Sequence, residues 1–387
     1  MTDPAVFPRA EFERRWKALQ HGMATRGQDA LFLTSPQDIF YVTGFLTRFW
    51  ESPARPWFLV LPKSGEPLAI IPEIGVELMS HCAVGEIRAW PAPVPGDDGV
   101  SLLTECLTSL VPEGGRLGVP MGAETNLRMP LADWQSVRQS LGQRHVVDAT
   151  ETLHRVREIK SEPEIEAIRA TCGIADAAFD RMPELVAGAA TLETLFRRFQ
   201  IALLEEGADW VSYVAGGAGP EGYGTVIAPA SGQPLRRGDI VMLDTGAVRN
   251  GYFCDFDRNF AIGRPSDAMK RAYAVLDAAT EAALGQLRPG MTAKDAHRVL
   301  SEAMTDAGGV PAGGRLGHGL GVALTEWPSF TPRDETELRA GMVLAIEPGV
   351  EVGDGTILVQ EENVVLRDDG PELLSTRAAR ELPVIAP

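Results

Sequence analysis

GDIVMLDTGAVRNGYFCDFDRNFAIG, Gly238 to Gly263, is the stretch that decides how this chain is read. An apolar run from Ile240 to Leu243 reaches Asp244, and a second β-like run follows Asn250-Gly251. Asn-Gly between two such runs predicts a hairpin with a two-residue turn, because both turn positions need a positive φ. With the turn centred there, Asp255 faces Gly246 and Asp257 faces Asp244, so that Asp244, Asp255 and Asp257 share one face of the ribbon. Carboxylates crowded on a buried face repel one another unless cations neutralise them. Taken alone, the same pattern also describes a solvated hairpin face. Cys254 points to the opposite face and reads as a small core residue.

Three later segments extend the pattern. RLGHGLGVALTEWPSF (Arg315 to Phe330) sets His318 between Gly317 and Gly319, where the backbone can approach a ligand. GMVLAIEPGV ends a core strand at Glu347, and VQEENVVL carries Glu361 inside another β-rich segment. Single residues of these kinds are usually structural. A lone strand carboxylate guards an edge, and a lone buried histidine is a satisfied core residue.

In order and spacing the segments resemble the pita-bread metallopeptidase family, in its Xaa-Pro peptidase, prolidase and creatinase branch. Asp244 and Asp255 are similar to the D-x10-D pair of that family, His318 to its G-H-G-x-G histidine, Glu347 to its E-P-G glutamate and Glu361 to the glutamate of its closing strand. DALFLTSPQDIFYVTGF (Asp29 to Phe45) resembles the amino-terminal domain of that branch, and REIKSEPEIEAIRA (Arg157 to Ala170) the opening of its catalytic domain. The resemblance implies an α+β protein: a smaller α/β creatinase-like domain over residues 1–157 and a pita-bread domain over 158–387. It also implies two divalent cations held by Asp244, Asp255, His318, Glu347 and Glu361. One imidazole and four carboxylates suit Mn, Fe, Co or Zn rather than thiophilic ions, and two such ions activate water against an amide-like carbon.

The chain departs from the family at two places. Prolidase-like peptidases carry a second histidine seven residues after the ligand histidine; here that position is Thr325, followed by the expected Glu326. Another family histidine, about seventeen residues before the first aspartate, falls at Val226 or Ile227. Loss of a proton-handling imidazole forfeits about 10²–10⁴ in rate unless another group replaces it. Asp257 is the first candidate, with Tyr223, Thr325 and Glu326 behind it, and the competing reading of Asp257 is a partner for Arg258 or Arg249. By the same resemblance, Arg48, Trp50 and Trp57 in FLTRFWESPARPW are candidate substrate-binding residues that reach the active site of a homodimer partner; ordinary domain packing is the alternative.

Composition sets the outer limits. At 387 residues and 44% hydrophobic content the chain can bury two substantial cores. A formal charge of −17 opposes nucleic-acid binding. The amino terminus lacks the apolar h-region of a signal peptide, and no stretch approaches the roughly 18 apolar residues of a membrane span, which predicts a cytoplasmic location. Four scattered cysteines form no C-x-x-C pair. Ser161 with Glu164 predicts a capping box that opens the second domain, and Pro163 suits the first turn. The function expected is hydrolysis of a C–N bond in a short peptide or small amide. A small-metabolite enzyme of the same fold, resembling ectoine hydrolase or the dimethylsulfoniopropionate lyases, is the alternative, and a peptidase-like binding module without catalysis is the third.

Overall fold

The computed structural model describes residues 7–353 and 355–385. The chain divides between Arg157 and Glu158 into two compact units. In the first, helix Arg9–Thr25 sets Phe12, Trp16, Leu19 and Met23 on one buried stripe, the spacing a 3.6-residue period requires. Strands β1 (Ala30–Leu33), β2 (Phe58–Pro62), β3 (Leu68–Pro72), β4 (Glu86–Trp90), β5 (Arg116–Val119) and β6 (His145–Asp148) form one sheet in the order β4-β3-β2-β1-β5-β6. The runs WFLVLP and PLAIIP are the antiparallel β2 and β3, whereas β5 pairs in parallel with β1 and β6. Helices Val100–Leu110 and Leu131–Ser140 close a core of Phe32, Phe58, Ile70, Trp90, Leu103 and Trp134.

In the second unit, Ser161 and Glu164 make the reciprocal capping box and Pro163 lies in the first turn of helix Glu162–Asp180. That helix and helix Leu192–Glu205 pack against the first ligand-bearing sheet, which begins with β7 (Trp210–Gly219) and β8 (Ile240–Arg249) and continues into β9 (Tyr252–Phe253) and β10 (Phe256–Ile262). Asn250 and Gly251 adopt φ of 52° and 78°, as a primed turn needs. Pairing runs Arg249↔Tyr252, Val248↔Phe253 and then Phe256↔Thr245 and Asp257↔Asp244. The expected register is therefore the observed one.

Helices Asp267–Gln286 and Ala293–Asp306 lie between the two halves of the unit in sequence. Beyond them come β11 (Val310–Pro311), β12 (Gly317–Gly319), β13 (Glu326–Ser329), β14 (Val343–Ile346), β15 (Gly349–Gly353), β16 (Thr356–Val359), β17 (Glu362–Arg367), β18 (Gly370–Leu373) and β19 (Val384–Ile385). The second ligand-bearing sheet runs β13-β12-β14-β17-β18, while β19 joins the edge of the first beside β10. The glycines around His318 have a different cause from the one expected. A Cβ on Gly317 would lie 2.4 Å from Phe330 and 2.6 Å from the Ala345 carbonyl, and one on Gly319 would lie 2.3 Å from the Trp327 carbonyl. They make room for neighbouring strands rather than for a ligand. Among the described residues all four cysteines are unpaired, and no helix is long and apolar enough to cross a membrane.

Candidate metal centre

Hairpin register and strand ends bring the acids together. Asp244 sits in β8 and Asp255 just before β10, and with Glu361, just ahead of β17, each offers a carboxylate oxygen so that the three lie within 4.8 Å of one another. His318, at the middle of β12, places Nε2 3.1 Å from Asp255 Oδ2 and 3.8 Å from Glu347 Oε2. Its Nδ1 lies 2.7 Å from the Gly319 carbonyl. A proton on Nδ1 then donates to that carbonyl, which leaves Nε2 facing the carboxylates as a ligand atom.

The surroundings hold these groups still. Asn363 accepts from the Asp255 amide at 2.9 Å and donates to the Asp255 carbonyl at 2.6 Å, which clamps that residue where the ladder is interrupted. Arg258 donates to the carbonyls of Asp257 and Glu361, both at 2.7 Å, and to Glu362 Oε2 at 2.9 Å, tying β10 to β17. The Tyr213 hydroxyl lies 2.9 Å from Asp244 Oδ1 and also reaches Asp255 Oδ1. It has one proton to share between two carboxylates.

Electrostatically the cluster is under strain without a counter-charge. Burial, then the neighbouring charges of Asp255 and Asp257, hold the Asp244 carboxyl well above its ordinary range. Burial followed by Asp244 and Asp255 does the same to Glu361, and burial also raises Glu347. One Glu361 oxygen, Oε2, is buried without a hydrogen-bond partner. Mutually repelling buried carboxylates, an orphaned oxygen and one correctly presented imidazole nitrogen are a donor set that divalent metal ions would satisfy. The residues fit the ions.

A cavity of about 740 Å³ opens onto the cluster and is lined by Asp244, Asp255, His318, Glu347 and Glu361. Of the four candidates for proton handling, Thr325 lines it, as do Val226 and Ile227. Tyr223, Glu326 and Asp257, the other candidates to replace the missing imidazoles, are not among its lining residues. The Tyr223 hydroxyl is buried, donating to Asn259 Oδ1 at 3.0 Å and accepting from the Val359 amide at 2.8 Å, so it ties strands together. Glu326 is engaged by Lys160 at 3.0 Å and by the amides of Val322 and Ala323 at 3.0 and 3.2 Å. It braces the loop that delivers Leu324 and Thr325 to the cavity. Asp257 is fully buried behind the acidic wall, with no hydrogen-bond partner for either oxygen. Burial, with Glu362 and Glu347 adding to it and Arg258 opposing, pushes its carboxyl up to about 8.

Arg48, Trp50 and Trp57 belong to the first unit. Arg48 pairs with Glu51 on an exposed turn. Trp57, 3% exposed, is packed against Phe45 and Trp50 with ring centroids 5.2 and 5.5 Å away. That burial corrects its reading as a substrate contact; it is a core residue. Trp50 lies under the Arg128 guanidinium at 5.3 Å. Sequence reading passed over Tyr213, Arg315 and Asn363, and met Arg258 only as a partner for Asp257, whose backbone carbonyl it does contact. Tyr213 was concealed by a register shift between Val211 and Val214 in the pairing of β7 with β8, whereas the cation of Arg315, three residues ahead of His318, was a legible signal.

Two helix-backed sheets around a buried cluster of acids and one histidine define a metallohydrolase of the pita-bread class. The chain belongs to metallopeptidase family M24: the family model matches residues 166–368, and the creatinase/prolidase N-terminal domain matches residues 15–159. It is 29% identical over 365 residues to "Probable dipeptidase PepE" of Mycobacterium tuberculosis, covering 93% of each chain. With "Xaa-Pro dipeptidase" of Lactobacillus delbrueckii subsp. lactis it shares 28% identity over 375 residues, 95% of this chain and 98% of that one. The crystal structure of dipeptidase PepE from Mycobacterium ulcerans superposes with a TM-score of 0.84 at 29% identity, covering 98% of this chain and 100% of that chain.

Proposed function

We propose that this metallohydrolase cleaves the C–N bond of an amide or imide in a short peptide, with two divalent cations held by Asp244, Asp255, His318, Glu347 and Glu361. The observation that carries the reading is the convergence of all five side chains on the wall of one cavity. Bound cations of this kind lower the pKa of water and polarise the oxygen of the bond under attack. The protein's own share is positional. Asn363 and Arg258 fix the backbone around Asp255 and Glu361, and the Gly319 carbonyl selects the His318 tautomer. Val214, Ala215, Leu316 and Leu324 supply an apolar wall that limits water. Relatives bearing the names dipeptidase and Xaa-Pro dipeptidase support a dipeptide, proline-containing substrate. Cleavage adds water across the bond, leaving a carboxylate on one fragment and an amine on the other.

One observation favours a second reading, a small-metabolite enzyme of the same fold. Thr325, Val226 and Ile227 are on the cavity wall at the positions where the family's histidines are expected, so the usual proton carriers are replaced by a hydroxyl and by aliphatic groups. Reconstitution with Mn²⁺, Fe²⁺, Co²⁺ or Zn²⁺ separates the readings when Xaa-Pro dipeptides are assayed beside cyclic amides and sulfonium or betaine compounds. Turnover confined to the small metabolites overturns the peptidase reading. Assembly as a homodimer in the cytoplasm completes the proposal. Its support is the family resemblance, together with Phe49, 43% exposed, beneath the Arg55 guanidinium in the first unit. Sedimentation at micromolar concentration tests it, and a monomer sinks the dimer.

A further inference from the structure

A second cavity, of about 370 Å³, is lined entirely by residues of the first unit. It lies at the carboxyl end of β5, whose last residue is Val119, and includes Val146 of the edge strand β6. In open α/β sheets the carboxyl ends of parallel strands are where ligands collect. Helix Leu131–Ser140 contributes Trp134 and Arg138, which are four residues apart and therefore share one face. Val119, Leu127 and Val146 add apolar lining. A concavity of roughly 300–1,000 Å³ with apolar walls and a few polar groups is the usual form of a small-molecule site.

Two donors on this wall lack acceptors. Trp134 is 9% exposed and stacked on Phe32 with ring centroids 5.8 Å apart, yet its indole N–H makes no hydrogen bond among the described residues. A buried indole N–H ordinarily finds a partner. One turn further along the helix, the exposed Arg138 guanidinium makes no ion pair or hydrogen bond among the described residues. None of the lining residues is acidic, so Arg138 is the single charge of this cavity. The metal-centre cavity, by contrast, is lined by Asp244, Asp255, Glu347 and Glu361.

We infer that this cavity is a second binding site, separate from the metal centre, for a small arylalkanoate: its carboxylate accepts from Arg138 and from the Trp134 indole N–H, and its ring covers the apolar lining. A guanidinium fork matches a carboxylate in paired hydrogen bonds, and a single added indole donor fixes the anion at the helix face. The ammonium group of a free amino acid would meet no acid on this wall. The ligand class is therefore an apolar carboxylate without a free amine, in preference to its amide and to the corresponding amino acid.

The test is calorimetric titration of the Mn²⁺-loaded full chain with 3-phenylpropionate, 3-phenylpropanamide and phenylalanine, in wild type, Arg138→Gln, Arg138→Lys and Trp134→Phe. Wild type is expected to bind the acid at least about tenfold more tightly than either comparison compound, as a charge-assisted hydrogen bond provides. That preference disappears in Arg138→Gln and returns in part in Arg138→Lys. Trp134→Phe keeps the ring and removes the N–H, and is expected to weaken acid binding by about two- to tenfold. The Arg138 side chain makes no contact that the fold needs, so the thermal midpoint of Arg138→Gln should equal that of wild type. If Trp134→Phe lowers the midpoint, the Arg138 variants decide alone. Absence of acid binding by wild type overturns the site, and so does an acid preference that persists in Arg138→Gln, which would place the anion elsewhere on the molecule.

Discussion

At the scale of single residues, the centre is a set of charges whose positions are enforced from behind. Asp257 illustrates the cost. Its carboxyl lies opposite Asp244 in the ladder, buried, with both oxygens unpartnered and raised to about 8, so that at pH 7 it must take up a proton on folding. An unsatisfied buried polar group costs about 1–3 kcal/mol, and more when charged. Replacing it with a neutral isostere, Asp257→Asn, is therefore expected to raise the thermal midpoint of chelator-treated protein; a lower midpoint would show that the carboxylate is satisfied. The strand alternation that put Asp257 on the acidic face was legible from Asn250-Gly251. Its absence from the cavity lining was not, because whether a residue on that face is covered depends on β17 and its flank, about a hundred residues further along the chain.

At the scale of elements, two buried ion pairs decide how segments are anchored. Lys160 and Glu326, 2% and 5% exposed at their side chains, join the opening of the second unit to β13. Removing one member of a buried pair costs about 3–5 kcal/mol, since the other charge is stranded. Lys160→Met is expected to show that loss as a lower urea midpoint, with a smaller total loss when Glu326→Gln is added. In the first unit, Glu11 of helix Arg9–Thr25 pairs with Arg14 at 2.7 Å and with the fully buried Arg15 at 3.0 Å. Burial alone would raise the Glu11 carboxyl, but the two arginines outweigh it and lower it to about 2. A depressed carboxyl stabilises the fold above its unfolded pKa near 4.5 and loses that contribution as pH falls towards 2. Glu11→Gln is expected to cost up to about 3 kcal/mol at pH 7. The gap from wild type should narrow as unfolding is followed down to pH 3, and a gap independent of pH would exclude the linkage. Helix periodicity and the capping box at Ser161 were readable because they depend on neighbours within a few residues. The role of Glu326 was not, because its partner Lys160 is 166 residues away in sequence.

For the whole molecule, the candidate site is built from the two halves of the second unit. One half supplies the hairpin aspartates; the other supplies His318, Glu347 and Glu361. Cations bound between them would act as cross-links present only in the folded state. Metal at a hundred times its dissociation constant stabilises by about 2.7 kcal/mol per site, so chelation is expected to lower the thermal midpoint and readdition to restore it. A midpoint indifferent to chelator would argue that the acids hold no ion.

The sequence by itself determined the two-unit α+β architecture, the hairpin register, and the order of the acids and histidine, because turn chemistry and alternation act locally and ligand order survives in linear motifs. Only the tertiary structure decided which of those residues reach the cavity. It turned Tyr223, Glu326 and Trp57 inward, and it brought Tyr213 and Arg315 to the wall. Cavity access depends on the packing of side chains far apart in the chain, where burial and hydrogen-bond satisfaction outweigh any local signal.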